Sequence, residues 1–556
     1  MQSVERFLRS NGREVKVFLL FFVVYCSSIT LNYSLSHDST YYLNEIEYLP
    51  WIFHPHHLLF HVVAKVCVMF FNAMPFLEGL DVAYKVGSMN ALFGSLTLAT
   101  LAHFSYRKLG LTLYASNAML ALVGFSFSYW YYSGCAEVYI IPLFFVVRSI
   151  ISLHAYSEGT GTLNRVVIWL SLATLFHQAN IILFGMLLLY VALHHRNDLV
   201  KGVVRGLGIS FLIIGLPYLF AGCVYYGHTT FQGYRHWLFM YSDDLPEYWT
   251  PLGPKMIVTD FIGFARTFYS TFFLYSIESI RAMVLNIFRN QWLGEEVFLV
   301  RNMSPIEGFS LLFAAIASGL LLLLIVISNL RNVRYRWLRH KSIVVILGFY
   351  TLTYSIFFTF WSSTNPEFWI PQNLFFWVLV VLLFVDTSQR RNRLAITGVA
   401  SCLLLVNFFG GIVYTKTKAN DLYYQRLHGI LQNHGSSAPV LALNSGVLKD
   451  YLIRYKFQNY FCIEESFRKT TTDSASLAQA LDSLISHSPS HTVFATSELC
   501  NPEPFKYPSK LTSYVRSFTG NKRYQLLTRN IGADDMYYEI QLRETPAGRD
   551  ASSPVH

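Results

Sequence analysis

The stretch from residue 17 to residue 42 reads VFLLFFVVYCSSITLNYSLSHDSTYY, a long apolar run with an abrupt polar end. With its flanks, the apolar part is long enough to cross a bilayer core, which takes about 20 residues. The polar part places His37 and Asp38 at the exit of that span, and the run His54-Pro55-His56-His57 follows. Ionisable groups are costly at such a place unless they are used. The stretch therefore predicts a membrane span with a candidate active site at its end.

The composition is that of a membrane protein. Hydrophobic residues make up 53% of the chain and charged residues only 14%, whereas a soluble domain carries about 25% charged residues. The mean hydropathy is +0.36, and the runs 17–31, 311–327 and 368–385 are each suited to span a bilayer. We therefore predict a polytopic α-helical membrane protein, whose formal net charge of +10 reflects topology rather than nucleic-acid binding.

The cysteines and histidines do not specify a cofactor. The seven cysteines lack any CxxC or Cys/His pairing, so they suggest neither a zinc nor a redox centre. The spacing of His54 and His56 suits a metal chelate in a loop, but no matching carboxylate motif accompanies it, so a divalent metal is the less favoured alternative. Cys462 and Cys500 either form a bridge or remain two thiols.

The basic residues predict the orientation. Arg6, Arg9, Arg13 and Lys16 precede the first span, so the positive-inside rule puts the N-terminus in the cytoplasm. No small-residue cleavage site follows, which favours an anchor over a cleaved signal peptide. An even number of crossings must separate neighbouring basic clusters, and these lie at 107–108, 165, 196–205, 331–341 and 390–393.

Three apolar stretches compete for two crossings before residue 107: 17–33, 57–74 and 87–105. The middle one is flanked by histidines and carries Lys65, so we expect it to lie in the outer interface, within a first external loop of 34–86. Besides 17–33 and 87–105, the predicted crossings are 111–131, 138–155, 165–177, 180–194, 203–225, 307–327, 342–360, 370–385 and 394–414. The total is therefore about eleven crossings. The segment 165–194 would also fit one long tilted helix.

Two long segments fall outside the predicted spans. The stretch 226–305 is external and rich in aromatic residues, and its apolar pieces form a helical hairpin or interfacial helices. Residues 415–556 are predicted to form a small soluble extracytoplasmic α/β domain after a transmembrane domain of 1–414. The evidence is an alternation of strand-like runs at 440–443 and 492–495 with helix-like runs at 448–455 and 474–486.

With this topology, the polar residues at span ends collect on the external side. Asp38 and the histidines from His54 to His61 lie there, and so do Glu137, His177-Gln178 and Glu367 at turns between spans. A carboxylate at mid-membrane costs about 2.5–3.5 kcal/mol, so such residues usually face a cavity or water. Each alone is equally well read as a solvated loop residue, but together they predict a shared polar cavity.

These residue types suit a transfer from a lipid-phosphate donor. A carboxylate beside an apolar wall is a suitable general base, because desolvation raises its pKa. Histidine, lysine and arginine hold a phosphate by charge-assisted hydrogen bonds. A cavity open to lipid lets a polyprenyl chain stay in the bilayer while its head group reacts.

The motifs resemble those of the GT-C superfamily of integral-membrane glycosyltransferases, and most closely the bacterial families related to protein O-mannosyltransferases and aminoarabinose transferases. Those proteins have an acidic motif after the first span and then an HPP or KPP element before an interfacial helix. Here the elements are His37-Asp38-Ser39 and His54-Pro55-His56. The run Ala136-Glu137-Val138-Tyr139 resembles the AEVY segment of one such family, and His177-Gln178 stands at a similar polar break. The motifs cover about residues 15–200.

The resemblance implies roles for these residues. Asp38 would be the catalytic base in a reaction that inverts the sugar anomeric centre, and His54 and His56 would orient or neutralise the donor phosphate. Helpers to the phosphate would be Lys65 or one of Arg281, Arg289 and Arg301, while Glu137, His177, Gln178 and Glu367 would line the sugar or acceptor pocket.

The sequence departs from the family pattern in two places. Asp38 is followed by Ser39 instead of a second acid, and His56 replaces the second proline of HPP. These differences leave the donor and the metal dependence open. The resemblance implies a bacterial inner membrane, a polyprenyl-phosphate-linked sugar donor and a glycolipid or protein acceptor.

Two other classes remain open. A transporter or flippase of lipid-linked or anionic substrates would also need intramembrane acids and histidines, but it would need polar lining on both sides and usually shows an internal repeat, which this sequence lacks. A structural or assembly protein with an external interaction domain predicts that substitutions at Asp38 and His54 are silent.

Overall fold

The computed structural model describes residues 2–49, 52–244, 249–288, 293–442, 446–462, 474–487, 492–496, 524–530 and 536–542. These residues form two compact units. The first is drawn from 1–31, 45–277 and 302–416, and the second from 32–44, 278–301 and 417–556. The second unit is thus assembled from three separate parts of the chain, whereas the predicted domain boundary at 414/415 stays a prediction.

The first unit is helical. Several of its long helices contain a π-helical turn, as at Phe104–Lys108, Phe211–Gly215 and Phe408–Ile412. The helices of the amino-terminal half are α1 Gln2–Ser27, α2 His37–Tyr48 (which begins in the second unit), α3 Phe60–Asn72, α4 Val82–His103, α5 Leu113–Gly124, α6 Phe127–Ser133, α7 Ile140–Ser157, α8 Leu163–Phe176, α9 Ile182–His194, α10 Leu199–Ser210 and α11 Leu216–Leu219. Those of its remaining parts are α12 Phe231–Asp244, α13 Pro254–Phe268, α16 Pro305–Asn329, α17 Val333–Arg339, α18 Lys341–Phe360, α19 Ile370–Phe384, α20 Arg390–Asn407 and α21 Val413–Thr415.

Six helical segments among the described residues are long and apolar enough to cross a bilayer, so the predicted polytopic helical fold class is confirmed. Each coincides with a predicted crossing. The other five predicted crossings correspond to shorter or less apolar helices (α1, α4, α5 with α6, α8 and α9), and a total of about eleven stays a prediction. The six segments are Ile140–Ser157, Arg196–Tyr225, Pro305–Arg339, Lys341–Phe360, Pro366–Phe384 and Arg390–Thr415.

Two details of the predicted topology can be compared with the helices. The segment assigned to the interface, α3, has 13 residues and is about 20 Å long, which is too short to cross a hydrocarbon core of about 30 Å. The segment 165–194 is broken rather than continuous, because α8 ends at Phe176 and His177 is extended at φ −157°. The alternative of one long tilted helix is therefore not found.

Buried asparagines satisfy the backbone where helices of the first unit break. The Asn90 amide donates to the carbonyls of Cys135 (2.6 Å) and Glu137 (2.7 Å) between α6 and α7. The Asn407 amide donates to the carbonyls of Phe125 (2.7 Å) and Phe268 (2.8 Å) at two other helix ends. Non-helical backbone is tolerated at membrane depth only when such groups have partners inside the protein.

The second unit contains a five-stranded mixed sheet in the order β2-β1-β3-β5-β4. β1 pairs in parallel with β2 and β3, and β5 pairs antiparallel with β3 and β4. The strands are β1 Val440–Ala442, β2 Tyr460–Cys462, β3 Thr492–Thr496, β4 Tyr524–Asn530 and β5 Met536–Leu542. The helices of this unit are the first turns of α2, α14 Glu278–Phe288, α15 Leu293–Leu299, α22 Leu422–His434, α23 Val447–Arg454 and a last helix over Ser474–His487.

The predicted small α/β fold of the tail is confirmed by this sheet and its helices. Cys462 ends β2, whereas Cys500 lies outside the described residues, so their pairing stays a prediction.

We expect Gly263→Ala to destabilise the first unit. A Cβ at Gly263 in α13 would lie 2.0 Å from the backbone oxygen of Ser363, which also accepts the indole N–H of Trp369. Because the clash is with backbone, the cost should be about 1–3 kcal/mol, measured as a lower Tm in detergent. Gly348→Ala in α18 is the matched control, since a Cβ there meets nothing within 4 Å. An equal Tm for both variants would contradict the close approach.

Candidate functional site

The His-Pro turn between α2 and α3 is held in place by two tyrosines. Pro55–His57 form a single 3-10 turn. Tyr218 donates its hydroxyl to the carbonyl of Pro55 at 2.6 Å, and Tyr226 donates to the carbonyl of Phe53 at 2.8 Å. The turn is therefore anchored to the segment Arg196–Tyr225 and the residue that follows it.

Five ionisable residues of the first unit form what we call the histidine cluster: Glu45, His54, His56, His57 and His61. The rings of His54 and His57 stack at 4.1 Å with an interplanar angle of 9°, and those of His57 and His61 at 5.2 Å with 27°. His61 Nε2 lies 2.9 Å from Glu45 Oε2, and both side chains are at most 5% exposed. The cluster is thus a buried stack closed by one acid.

Burial keeps His54, His56 and His57 neutral. Desolvation lowers the pKa of His54 well below its ordinary value, helped by the neighbouring His61, and it lowers the pKa of His57 in the same way. It lowers the pKa of His56 to about 4. A neutral imidazole still donates one hydrogen bond and accepts another. These three histidines therefore offer hydrogen bonds rather than positive charge.

The histidines are not arranged for a metal ion. Because three of the rings are stacked, their nitrogens lie in nearly parallel planes instead of converging on one point. Among the described residues, no group of three or more His, Cys, Asp and Glu side chains is placed to hold a metal ion. The stacked histidines of the described structure thus do not form a metal site.

An aromatic chain connects several turns between helices of the first unit. His177 lies 5.3 Å from the ring of Tyr139, and Tyr139 lies 5.7 Å from Tyr132. Tyr132 donates its hydroxyl to Glu367 Oε2 at 2.8 Å. Desolvation and the neighbouring His56 lower the pKa of His177 to about 3. The structure therefore brings His177 and Glu367 to one aromatic wall that reaches the histidine cluster.

The other predicted site residues of the first unit have separate surroundings. Glu137 is buried between α6 and α7, within electrostatic reach of Tyr132. Gln178 donates to the carbonyl of Leu238 at 3.4 Å. Lys65 lies one turn beyond His61 on α3 and makes no ion pair with a described acid. Lys65 makes no hydrogen bond or ion pair with the described residues of the cluster.

The second unit contains Asp38 in the first turn of α2. Desolvation by the surrounding protein raises the pKa of its carboxyl, against the opposing effect of His37, although solvent reaches part of the side chain. Tyr42 donates to Asp38 Oδ2 at 3.5 Å, a long contact. A carboxylate in the first turn of a helix is also favoured by the helix dipole.

Two further acids of the second unit surround His37. His37 Nε2 lies 2.6 Å from Glu295 Oε2, and Tyr423 donates to Glu295 Oε1 at 2.8 Å. Burial alone would lower the pKa of His37, but the Glu295 carboxylate outweighs it and the pKa is raised. Asp421 accepts hydrogen bonds from the Tyr33 N–H (2.8 Å) and the Tyr451 hydroxyl (2.7 Å).

The three arginines named as helpers belong to the second unit. Arg301 donates to the carbonyl of Ala419 at 2.8 Å and lies over the ring of Phe298. Arg281 is part of α14, and Arg289 lies outside the described residues.

Sequence reasoning missed Glu45, Glu295 and Asp421. The sequence signal that could have identified Glu295 is the acidic pair Glu295-Glu296 in the predicted external stretch 226–305. Glu45 lies two helical turns beyond His37 and Asp38, which would have placed it on the same face had α2 been predicted as a helix.

No protein-family model matches the sequence, and no curated protein matches it. Among solved structures, the chain is similar to ArnT from Cupriavidus metallidurans bound to undecaprenyl phosphate, with 11% identity, a TM-score of 0.56, and coverage of 96% of this chain and 98% of that one. ArnT in the apo state gives a TM-score of 0.45 at 13% identity over 96% and 98% of the two chains. The Archaeoglobus fulgidus oligosaccharyltransferase complex with Zn and sulfate gives 0.45 at 13% identity over 93% and 72%.

The first similarity establishes the fold. It extends over nearly the whole chain, so the predicted polytopic helical fold with a small mixed sheet in the carboxy-terminal part is confirmed as a fold shared with ArnT.

We expect Glu45→Gln to destabilise the histidine cluster. Replacing one partner of a buried polar contact costs about 1–3 kcal/mol, and the Glu45–His61 contact is almost fully enclosed. The measurement is Tm in detergent at neutral pH. Glu78→Gln is the control, since that carboxylate is exposed on the same loop. If Glu45→Gln has the same Tm as the control variant, the Glu45–His61 contact contributes nothing to stability.

The Asp421 carboxyl should make stability fall as pH rises. Desolvation raises its pKa from 3.8 to about 6, so the folded state binds the proton more tightly than the unfolded state. The contribution of Asp421 to the free energy of unfolding is fully present below pH 3.8 and is lost as pH rises through about 6. The loss amounts to about 3 kcal/mol. The Tm of Asp421→Asn minus that of the wild type should therefore increase between pH 4 and pH 7.

Tyr451→Phe provides the internal check. The Tyr451 hydroxyl donates to Asp421 and favours its charged form, so its removal should shift this pH window upward. A Tm difference between Asp421→Asn and wild type that does not change with pH would contradict the raised pKa.

Proposed function

We propose that this protein is an integral-membrane glycosyltransferase that transfers a sugar from a polyprenyl-phosphate donor to a lipid or protein acceptor on the extracytoplasmic face. The observation that carries the proposal is the anchored His-Pro turn, whose buried neutral histidines lie beside the aromatic wall of His177 and Glu367. The proposal is supported by the fold shared with ArnT, which has been seen bound to undecaprenyl phosphate.

His54 and His56 are proposed to bind the donor phosphate. Their lowered pKa values leave both rings neutral, so they would orient the phosphate by donating N–H groups to its oxygens and would not neutralise its charge. Lys65 is proposed as a nearby cation, because its long side chain can reach beyond one helical turn. The resemblance implies that the two histidines orient or neutralise the phosphate. The proposal keeps only orientation.

Asp38 is proposed as the catalytic base. Its raised pKa makes the carboxylate a better proton acceptor than an ordinary aspartate. It takes the proton of the acceptor hydroxyl while that oxygen forms a bond to the anomeric carbon. The bond from the anomeric carbon to the phosphate oxygen breaks, and polyprenyl phosphate leaves with the electron pair. Attack from the face opposite the leaving group inverts the centre.

Glu137, His177, Gln178 and Glu367 are proposed to line the sugar or acceptor pocket. Their side chains present hydrogen-bond donors and acceptors at external turns, which suits the recognition of sugar hydroxyls. No step of this reaction is assigned to a metal ion.

The proposed location is the bacterial inner membrane as a multi-pass protein. The N-terminus is cytoplasmic and the carboxy-terminal domain extracytoplasmic in this proposal, because the basic clusters follow the positive-inside rule. The reaction then takes place where nucleotide-activated sugars are absent and lipid-linked donors are required.

We expect Asp38→Asn to abolish turnover while leaving donor binding intact. Loss of a general base lowers the rate by about 10²–10⁴-fold, measured as sugar release and acceptor mass shift from a polyprenyl-phosphate sugar pool with protein in nanodiscs. Wild-type activity should fall as pH drops through the raised pKa of Asp38, since only the ionised form accepts a proton.

The control variant is Glu78→Gln, which removes an exposed carboxylate outside the proposed site. His54→Phe should weaken donor binding while keeping an aromatic ring in the stack. Full turnover by Asp38→Asn would exclude Asp38 as the base, and unchanged donor binding by His54→Phe would remove the phosphate role.

A further inference from the structure

A cavity of about 790 Å³ lies in the first unit, away from the histidine cluster. It is lined by the carboxy-terminal ends of α7 and α9, the π-helical turn after α4 and the beginning of α18. The histidine cluster is near the opposite end of α7, where Tyr139 contacts His177. Since α7 has 18 residues, the two sites are about 27 Å apart along it.

The cavity is strongly basic. Lys108, Arg339 and Lys341 carry permanent positive charge, and Glu158 is the one acid in the described lining. None of the three cations forms an ion pair with an acid in the described part of the chain. Four histidines add further donors: His154, His194, His195 and His340. Three unneutralised cations around one cavity favour an anionic ligand.

Hydrogen bonds fix two of the four histidines of this cavity, His154 and His194. His154 Nδ1 lies 3.1 Å from the hydroxyl of Ser342. His194 Nδ1 donates to the carbonyl of Tyr190 at 3.1 Å, and its ring stacks on Tyr190 at 4.6 Å. The Tyr190 hydroxyl is in turn hydrogen-bonded to Ser157 at 2.5 Å. The cavity wall is therefore preorganised.

Apolar side chains flank the basic ones. Leu193 precedes His194 and is 64% exposed, and Leu338 precedes Arg339 and is 62% exposed. Trp337 is also partly exposed beside them. A free anion would gain nothing from these side chains, whereas the acyl chains of a lipid would cover them. Basic pockets between transmembrane helices are suited to lipid head groups.

We propose that this cavity binds the phosphate group of an anionic phospholipid, with Lys108, Arg339 and Lys341 around the phosphate and the acyl chains along Leu193 and Leu338. The site is separate from the proposed glycosyl-transfer site and does not depend on that function.

The test compares two triple variants with the same loss of charge. Lys108→Gln/Arg339→Gln/Lys341→Gln removes the cations of the cavity. Arg331→Gln/Arg334→Gln/Arg390→Gln removes three exposed cations that do not line it. Dioleoylphosphatidylglycerol is titrated into each detergent-purified protein, and its Kd is obtained from the rise in Tm. Dioleoylphosphatidylcholine and inorganic phosphate are titrated in parallel.

We expect phosphatidylglycerol to bind the cavity variant at least about tenfold more weakly than the wild type, because three charge-assisted contacts are lost. The control variant should bind as the wild type does, and phosphatidylcholine should bind weakly to all three proteins. Equal Kd values for the two triple variants would overturn the proposal, because general surface charge would then account for the binding. Inorganic phosphate binding as tightly as phosphatidylglycerol would overturn the assignment to a lipid.

Single variants keep the test decisive if the triple variant does not purify as a monodisperse protein. Lys108→Gln and Lys341→Gln should each weaken phosphatidylglycerol binding by about threefold, and Arg334→Gln should not change it. Unchanged binding by both cavity variants would contradict the proposal.

Discussion

The first unit depends on three buried asparagine amides that satisfy the backbone at places where its helices are broken. Asn90 serves the carbonyls between α6 and α7, Asn407 serves the ends of α5 and α13, and Asn180 serves Ala173 and His177 at the end of α8. An unsatisfied carbonyl in apolar surroundings costs several kcal/mol, so these breaks would not persist without their partners. The polar residues of the candidate site occur at two of these breaks, at Glu137 and at His177. The site is thus available because the irregular backbone around it is satisfied from within the protein.

Much of the helical architecture could be predicted from local sequence, because hydrophobicity and charge are local properties. The predicted crossing 138–155 corresponds to Ile140–Ser157, and the predicted break near residue 177 is the end of α8. Polar residues between two apolar runs predict such a break, since they cannot remain inside a lipid-facing helix at low cost. Within the tail, the strand-like run 492–495 lies in β3 for the same local reason: a short apolar, β-branched run is bounded by polar residues.

The pairings within the site could not be predicted in this way. Glu295 contacts His37 across 258 positions and Asp421 binds Tyr33 across 388, so no window of sequence contains both partners. The division of the chain into units has the same origin, because 32–44 and 278–301 join the carboxy-terminal unit through long-range contacts. The protonation states were equally inaccessible. A run of histidines indicates positive charge when it is read as a motif, and only the burial of the stacked rings reverses that reading.

The two ends of the first unit therefore present different chemistry to phosphate-bearing lipids. His54, His56 and His57 offer neutral, geometrically fixed donors, whose hydrogen bonds depend on orientation and are little affected by ionic strength. The basic cavity offers permanent charges that are open to solvent, whose attraction is screened within about 10 Å at 0.1 M salt. Neutral donors suit a site that must release a phosphate group after each reaction, because they do not hold its full charge. Permanent cations suit a site that retains its lipid. In the two proposals, one helical unit combines a site for turnover with a site for a resident lipid.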